Sequence, residues 1–498
     1  MKGRQIFLNA VTTIAQTLGN ACVLFFLYRF LIRSIGVEGL GIWSLVLATT
    51  SVITLANQGF STSIIKFVAK YAARENADEV AALVQTAVIS VALAISIVSI
   101  GLYPVARWIL QTVLPHARLA EAYAILPLAI VSLWIAIVEG VLQAGLAGHQ
   151  LITVCNYLEF GGGLSYLALA FVLVPAHGLL GLAYAQVIQG FGILLVTWLL
   201  LRRRMPGLPL VPRQWSRAMF RELGGYGFHF QMITSTQALR EPVTKALIAR
   251  FGGLAMTGFY DLAARWIFTF RELIVQANQV LVPTISHLQE RDPKLIPVVY
   301  RESYRLVFFL AVPIFASAAV LSPLVSRIWI GRYEATFVEF VAILAAGWLV
   351  NVLTNPAYVV DLGTGALKWV SIGCLSAAML NVSLGFAAGF HFGGIGVVAA
   401  TAVSQAVGYG IVLAAYHFEN RVAFRQLLPS ESRPVLFASL IGAAVLVPMC
   451  CSAHLRSLFS FGIAERGPGI LILTILVLMW RHPMRKQLTR WLYEQIPA

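Results

Sequence analysis

The chain has 498 residues, of which 59% are hydrophobic and only 11% charged, and its formal net charge is +15. A soluble domain carries roughly 25% charged residues, and no globular core hides this much apolar surface from water. A water-soluble protein is therefore excluded, and the few residues outside the apolar stretches leave no room for a soluble catalytic domain.

Runs of about 20 apolar residues, enough to cross ~30 Å of hydrocarbon as helix, recur along the chain. Fourteen are predicted, at 10–32, 40–60, 83–103, 122–147, 152–174, 178–201, 224–250, 255–283, 304–325, 335–360, 368–390, 393–416, 434–453 and 467–481. They are continuous rather than alternating, which excludes a β-barrel. The fold class is an all-α polytopic membrane protein. Lys2 and Arg4 before the first run imitate a signal peptide. The run is long, has no small-x-small cleavage site and is followed by further spans, so it reads as a retained helix.

The first lobe occupies residues 1–201. Its turn Ile35-Gly36-Val37-Glu38-Gly39-Leu40-Gly41-Ile42-Trp43-Ser44-Leu45 recurs as Phe251-Gly252 through Gly258-Phe259-Tyr260-Asp261-Leu262. Ala56-Asn57-Gln58 recurs as Ala277-Asn278-Gln279, Pro104–Ile109 as Pro323–Ile330, and Gly178-Leu179-Leu180-Gly181 as Gly393-Gly394-Ile395-Gly396. Four matches in one order at a nearly constant shift define an internal repeat. Residues 202–221, rich in Arg and Pro, form a basic linker, 222–417 the second lobe, and 418–498 two additional helices with a basic tail. Six spans per lobe is an even number, so the two repeats enter the membrane from the same side and are parallel.

With the amino terminus in the cytoplasm, cytoplasmic loops hold about 23 Lys and Arg and the opposite loops about nine. This asymmetry places both termini in the cytoplasm. It accounts for the net charge through orientation and anionic lipid rather than nucleic acid. The segment Lys66–Arg74 sets Phe67 and Tyr71 against Lys70 and Arg74 at helical spacings, a pattern suited to the membrane interface. The five cysteines, Cys22, Cys155, Cys374, Cys450 and Cys451, have no metal-ligand spacing and read as small buried apolar residues. Glycines inside the spans, such as Gly161–Gly163, Gly385 and Gly389, follow no strand and serve close helix approach rather than nucleotide binding.

Ionisable residues inside spans need a reason, because one at the bilayer centre costs at least ~2.5–3.5 kcal/mol. Glu241 with Lys245, and Asp261 with Arg265, have the i,i+4 spacing and acid-first order of helical ion pairs. Arg240 and Arg271 lie near mid-span beside Glu241 and Glu272, and consecutive residues on a helix do not face each other. These two arginines are expected to face a water-filled cavity. At the offset of the matched turns Arg29 aligns with Lys245, so each lobe would bring a cation to the same level. Arg29, Arg240, Lys245 and Arg271 form the candidate anion site, and the guanidinium fork suits a phosphorylated substrate. Glu139, Glu159, Glu241 and Asp361 are candidates for ion coupling or for pairing with cations on neighbouring helices. Pro242 is expected to kink its helix in mid-span. No catalytic, metal or cofactor site is read.

Taken together, Gly39-Leu40-Gly41-Ile42-Trp43, Asn57-Gln58-Gly59-Phe60-Ser61, Gly252–Leu262, Pro283-Thr284-Ile285-Ser286 and Trp329-Ile330-Gly331 resemble the polysaccharide transporters of the multidrug/oligosaccharidyl-lipid/polysaccharide exporter superfamily. The resemblance covers almost the whole chain and implies a flippase of the bacterial inner membrane. Its substrate would be an undecaprenyl-diphosphate-linked O-antigen or exopolysaccharide repeat unit, moved by alternating access. It also implies a monomer working beside membrane lipids, a polysaccharide polymerase and a chain-length regulator. Rival readings are a peptidoglycan-precursor flippase, a cation-coupled multidrug extruder and a membrane glycosyltransferase or polymerase. The last normally carries a large external loop bearing acids, which this chain lacks.

The orientation has a direct test. A single cysteine at Arg213, in a cysteine-free background, should resist impermeant thiol reagents in intact cells and react once the membrane is opened. External labelling at that position would reject a cytoplasmic linker.

Overall fold

The computed structural model describes residues 2–51, 63–65, 67–68, 71, 77–149, 151–205, 207–209, 211–279, 281–423, 432–451 and 461–484. Among these residues there is no strand. The helices are α1 (Lys2–Ser51), α2 (Ala77–Val113), α3 (His116–Gly148), α4 (Ile152–His177), α5 (Leu179–Arg204), α6 (Arg217–Gln279) and α7 (Leu281–Arg291). After a 3₁₀ turn at Pro293–Leu295 come α8 (Ile296–Val320), α9 (Ser322–Trp329), α10 (Ala335–Thr364), α11 (Lys368–Glu419), α12 (Arg433–Cys451) and α13 (Phe461–Arg481). Eight described helical stretches are long and apolar enough to cross a membrane, and two shorter apolar helices, Arg433–Leu446 and Gly467–Arg481, follow them.

Three helices are too long for one crossing. A straight helix of 52 residues, the length of α11, would run about 78 Å at 1.5 Å per residue, over twice the hydrocarbon core. Each long helix is broken at one glycine: Gly36 in α1, Gly253 in α6 and Gly393 in α11. The turns expected between those spans are thus single-residue breaks rather than loops.

The breaks carry the internal repeat into the backbone. Gly36 has φ 73° and ψ 173°, and Gly253 has φ 82° and ψ 178°. Gly178, between α4 and α5, has φ 56° and ψ −131°, and its match Gly393 has φ 63° and ψ −152°. These left-handed values favour glycine. Three residues further on, a β-carbon on Gly181 would strike the carbonyl of Leu173, and one on Gly396 would strike the carbonyl of Ala388. The same shift relates both pairs, so each repeat closes this hairpin by the same backbone contact.

The register of the first repeat pair corrects the expected alignment of cations. Gly36 corresponds to Gly253, not to Gly252. Residues 27–33 and 244–250 then share one burial pattern: two buried, two half-buried, two buried, one exposed. Lys245 therefore corresponds to Tyr28, and Arg29 to Ala246. A one-residue shift turns a side chain by about 100° around the helix axis, so the two cations do not occupy equivalent positions.

Contacts divide the chain into two compact units, Gln5–Arg250 and Phe251–Ala498 with Met1–Arg4. In the first unit α3 packs on α2 and α5, and α5 on α4. Its core includes Val84, Val141, Leu142 and Leu201. Phe67 and Tyr71 also belong to this core, so these two side chains are spent on protein packing rather than on the membrane interface. In the second unit α10 packs on α8 and α11, and the last two helices pack together against α8 through Val320, Leu446, Leu471 and Ile475. Cys155 and Cys374 are buried, whereas Cys22 is exposed and corrects the expectation for that residue. Pro242 lies within helical backbone, and the non-helical residue of α6 is Gly253. The segment Asn57–Ser61, the residues Lys66, Lys70 and Arg74, the tail from 485 and the side chains of Cys450 and Cys451 lie outside the described residues.

The linker is shorter than its arginines suggested, because α5 continues to Arg204 and α6 begins at Arg217. Residues 213–216 between them are docked on α2. Gln85 Oε1 accepts the backbone N–H groups of Arg213 at 3.0 Å and Gln214 at 3.2 Å. Thr86 Oγ1 accepts that of Ser216 at 3.1 Å, and Trp215 donates to Ser90 at 2.9 Å. Two buried polar side chains on an apolar helix are thereby satisfied, as burial requires.

The repeated hairpin contact has a direct consequence. Gly181→Ala and Gly396→Ala should each cost about 1–3 kcal/mol, the range for an overpacked site. Gly161→Ala and Gly410→Ala, which meet open space, should be neutral. Melting of the detergent-purified protein followed by size exclusion measures both, and equal effects in the two pairs would contradict the structural match.

Candidate functional site

The expected cations and acids fall into separate groups. In the first unit, Lys245 is buried, with a side-chain exposure of 6%, and its Nζ lies 2.9 Å from Glu241 Oε1. Glu241 is 52% exposed, so an exposed acid balances a buried ammonium. Arg240, one residue before, is half-buried. Arg29 is half-buried on α1, and no side chain among the described residues pairs with it. An unmatched guanidinium on a membrane helix is costly and therefore informative.

In the second unit, Arg265 Nε bonds Asp261 Oδ2 at 3.1 Å, and the Asp261 side chain is 3% exposed. Arg271 is held from three sides. Its Nη1 pairs with Glu272, its Nε donates to Asn351 Oδ1 at 3.0 Å, and its guanidinium lies 5.0 Å from the Trp348 ring centre. The expectation that the neighbouring acid is out of reach is overturned. Long side chains on consecutive residues can curl toward each other even though their Cβ atoms diverge. The repeated Asn278 is structural as well. It donates to Asn355 at 2.7 Å and accepts from Ser303 at 2.7 Å, tying α6, α8 and α10 together.

Unlike Glu241, the candidate carboxylates Glu139, Glu159 and Asp361 do not pair with cations among the described residues. Glu139 Oε1 accepts from Gln143 at 2.7 Å and from Thr197 at 3.1 Å. Glu159 Oε2 accepts from Gln16 at 2.6 Å. Asp361 is buried on α10, near enough to Glu419 for the two charges to interact. Among the described residues no Lys or Arg is in ion-pair reach of these three acids.

Glu139 and Glu159 share a cavity of about 290 Å3 inside the first unit, lined also by Asn20, Gln143, Gln186 and Gln189. Four helices, α1, α3, α4 and α5, contribute to it. The lining amides carry no charge and so do not stand out as ionisable residues within the spans. Their signal was present as uncharged Asn and Gln inside apolar runs, where a polar side chain needs a partner. No group of three or more His, Cys, Asp or Glu that could hold a metal ion occurs among the described residues.

Residues 30–335 match the family model described as Polysaccharide biosynthesis protein. The chain belongs to that family. No curated protein matches the sequence. Among solved structures, an inward-facing multidrug resistance MATE family transporter of the MOP superfamily superposes with a TM-score of 0.71 at 14% identity, covering 82% of this chain and 98% of that one. The lipid II flippase MurJ in an inward closed conformation superposes with a TM-score of 0.70 at 13% identity, covering 95% and 99%. A point mutant of the Vibrio cholerae MATE transporter VcmN gives 0.59 at 14% identity, covering 86% and 98%. The family member thus has the MOP-superfamily fold.

The pairing pattern separates two kinds of arginine. Arg29→Gln should leave the melting temperature unchanged, because no described partner is lost. If Arg29 touches an anionic substrate, transport should fall about tenfold or more, the usual loss for a hydrogen bond to a charged group. Arg271→Ala should lower stability and transport together, because it strands Glu272 and Asn351. Thermal melting alongside polysaccharide export by a flippase-deficient strain distinguishes the two cases.

Proposed function

We propose that this polysaccharide biosynthesis family member is a flippase. It would carry an undecaprenyl-diphosphate-linked oligosaccharide, an O-antigen or exopolysaccharide repeat unit, from the inner to the outer leaflet of a bacterial inner membrane by alternating access. The observation that carries this reading is a conjunction. The family match is to polysaccharide biosynthesis, while the fold extends over 95% of the chain onto a flippase of a lipid-linked precursor. The MATE transporter covers 82%. A peptidoglycan-precursor flippase is the second reading favoured by that fold likeness, and the family match ranks it below the first.

The physical task fits the inventory of polar groups. A glycan and a diphosphate cannot cross hydrocarbon unaided, since each unpaired polar group costs kilocalories. Helices that carry their own polar lining avoid that cost while the lipid tail stays in the bilayer. In this reading Arg29, Arg240 and Lys245 of the first unit attract the diphosphate. Arg271, already held by Glu272 and Asn351, contributes a fixed charge rather than a mobile contact. Glu241 balances Lys245 and is set aside as a coupling residue. Asp361, buried without a described cation, is the acid placed to exchange a proton. No covalent bond changes in this cycle. Both termini lie in the cytoplasm, and a polymerase and a chain-length regulator take over the product outside.

The diphosphate is anionic and the cell interior negative, so outward movement is downhill by about 2.3 kcal/mol per unit charge per 100 mV. Purified protein in proteoliposomes, with a labelled lipid-linked oligosaccharide and a potassium–valinomycin potential, should therefore translocate faster when the substrate side is made negative, with no pH or sodium gradient. Rates indifferent to the potential but proportional to an imposed proton gradient would replace this drive with proton coupling.

A further inference from the structure

The cavity of the first unit asks for a ligand of definite chemistry. Glu139 and Glu159 each use one oxygen on Gln143, Thr197 or Gln16. Asn20 Oδ1 and Gln186 Oε1 are buried and have no hydrogen-bond partner. Orphaned buried acceptors are expensive in any interior, and more so in hydrocarbon. The unmet demand is for donors. Among the described residues no Lys or Arg lines the cavity, so its described lining does not suit a diphosphate.

Packing does not account for these residues, as the internal repeat shows. The shift that relates Gly178 to Gly393, and Gly181 to Gly396, places Thr401 and Ser404 opposite Gln186 and Gln189, and Cys374 opposite Glu159. In the second unit those hydroxyls are spent on their own helix, Thr401 on Val397 and Ser404 on Ala400. The neighbouring backbones there are closed on each other. A β-carbon on Gly347 would lie 2.8 Å from Ala402 Cα, and one on Gly408 would press on Ala377. The Gly408–Ala377 contact has an equally close counterpart in the first repeat, Gly162 against Ile193. At the level of Gly347 and Ala402, however, the second repeat is closed by small residues where the first has a cavity lined by acids and amides.

Size separates the ligand classes. At ~30 Å3 per water, the cavity has room for about ten waters. A single dehydrated ion would leave most of its wall unsatisfied. A ring carrying several hydroxyls offers donors in several directions and can accept from the Gln189 amide. Resting on the flippase reading, we propose that this cavity receives one neutral, hydroxyl-bearing sugar ring of the transported glycan, with Glu139, Glu159, Asn20 and Gln186 accepting from its hydroxyls.

The test compares two probes in proteoliposomes: polyprenyl diphosphate bearing one neutral hexose, and polyprenyl diphosphate alone. The wild type should prefer the sugared probe. Glu159→Gln and Gln189→Leu should each reduce the ratio of sugared to bare rates about tenfold, the scale of a hydrogen bond to a charged group. Thr401→Val, at the sealed position of the second unit, should leave that ratio unchanged. Equal slowing of both probes, or a wild type without preference, overturns the proposal. So does an intact preference with an altered response to sodium or proton gradients, which would make the cavity a cation site. Binding is read separately by a cysteine at Ala136, which lines the cavity, in a cysteine-free background. Millimolar free hexose should slow its reaction with a thiol reagent. If the wild type moves neither probe, the flippase reading fails. In that event protection at position 136 still supports the sugar site, and no protection overturns it.

Discussion

In hydrocarbon a backbone must satisfy its own hydrogen bonds, and every structural choice in this chain follows from that constraint. It forces helices and forbids open turns within the apolar region. Between three pairs of spans the chain changes direction at a single glycine rather than at a loop. Gly36 and Gly253 adopt the same φ and ψ within about ten degrees, and each interrupts a helix for one residue only. A break this short leaves few backbone groups unpaired. The repeat is consequently written most clearly in the places where the helix stops.

The same constraint governs side chains. With water absent, each polar group finds a protein partner or signals a use. Most find one. Asn278, Asn355 and Ser303 close a network, Gln85 and Thr86 hold the linker backbone, and Arg271 is matched by Glu272 and Asn351. Exceptions occur in both units, among them Gln405 Oε1 and Asp361 in the second. In the first they include Arg29, and the cavity oxygens of Asn20 and Gln186, which converge on one cavity beside two acids that no described cation neutralises. Unpaired groups are the most direct physical pointer to a ligand, because packing gives no reason to keep them.

The two repeats have diverged along this line. In one, glycine and alanine let helices touch, the usual route to association in lipid. In the other, amides and carboxylates keep them apart around a cavity. Under the flippase proposal, a substrate with a charged head, a polar glycan and an apolar tail would need asymmetry of this kind, because two identical halves could not read it. The family match to polysaccharide biosynthesis gives that asymmetry a chemical meaning, and the superposition with MATE and MurJ gives it a fold.

Composition and the run lengths of apolar residues determined the fold class, the number of spans and the existence of the repeat. Those properties depend on local hydropathy and on glycines whose backbone angles no other residue adopts easily. The ion pairs at i,i+4 spacing were likewise legible, since a helix sets their separation. Tertiary structure decided what lies beyond one helix. It moved the cation register by one residue, so that Lys245 answers to Tyr28. It turned Phe67 and Tyr71 into the protein core, where sequence periodicity could specify an apolar face but not what covers it. It also brought Asn20, Glu139, Glu159, Gln186 and Gln189 from four helices into one cavity. Their convergence depends on how helices distant in sequence pack, and no spacing along the chain records it.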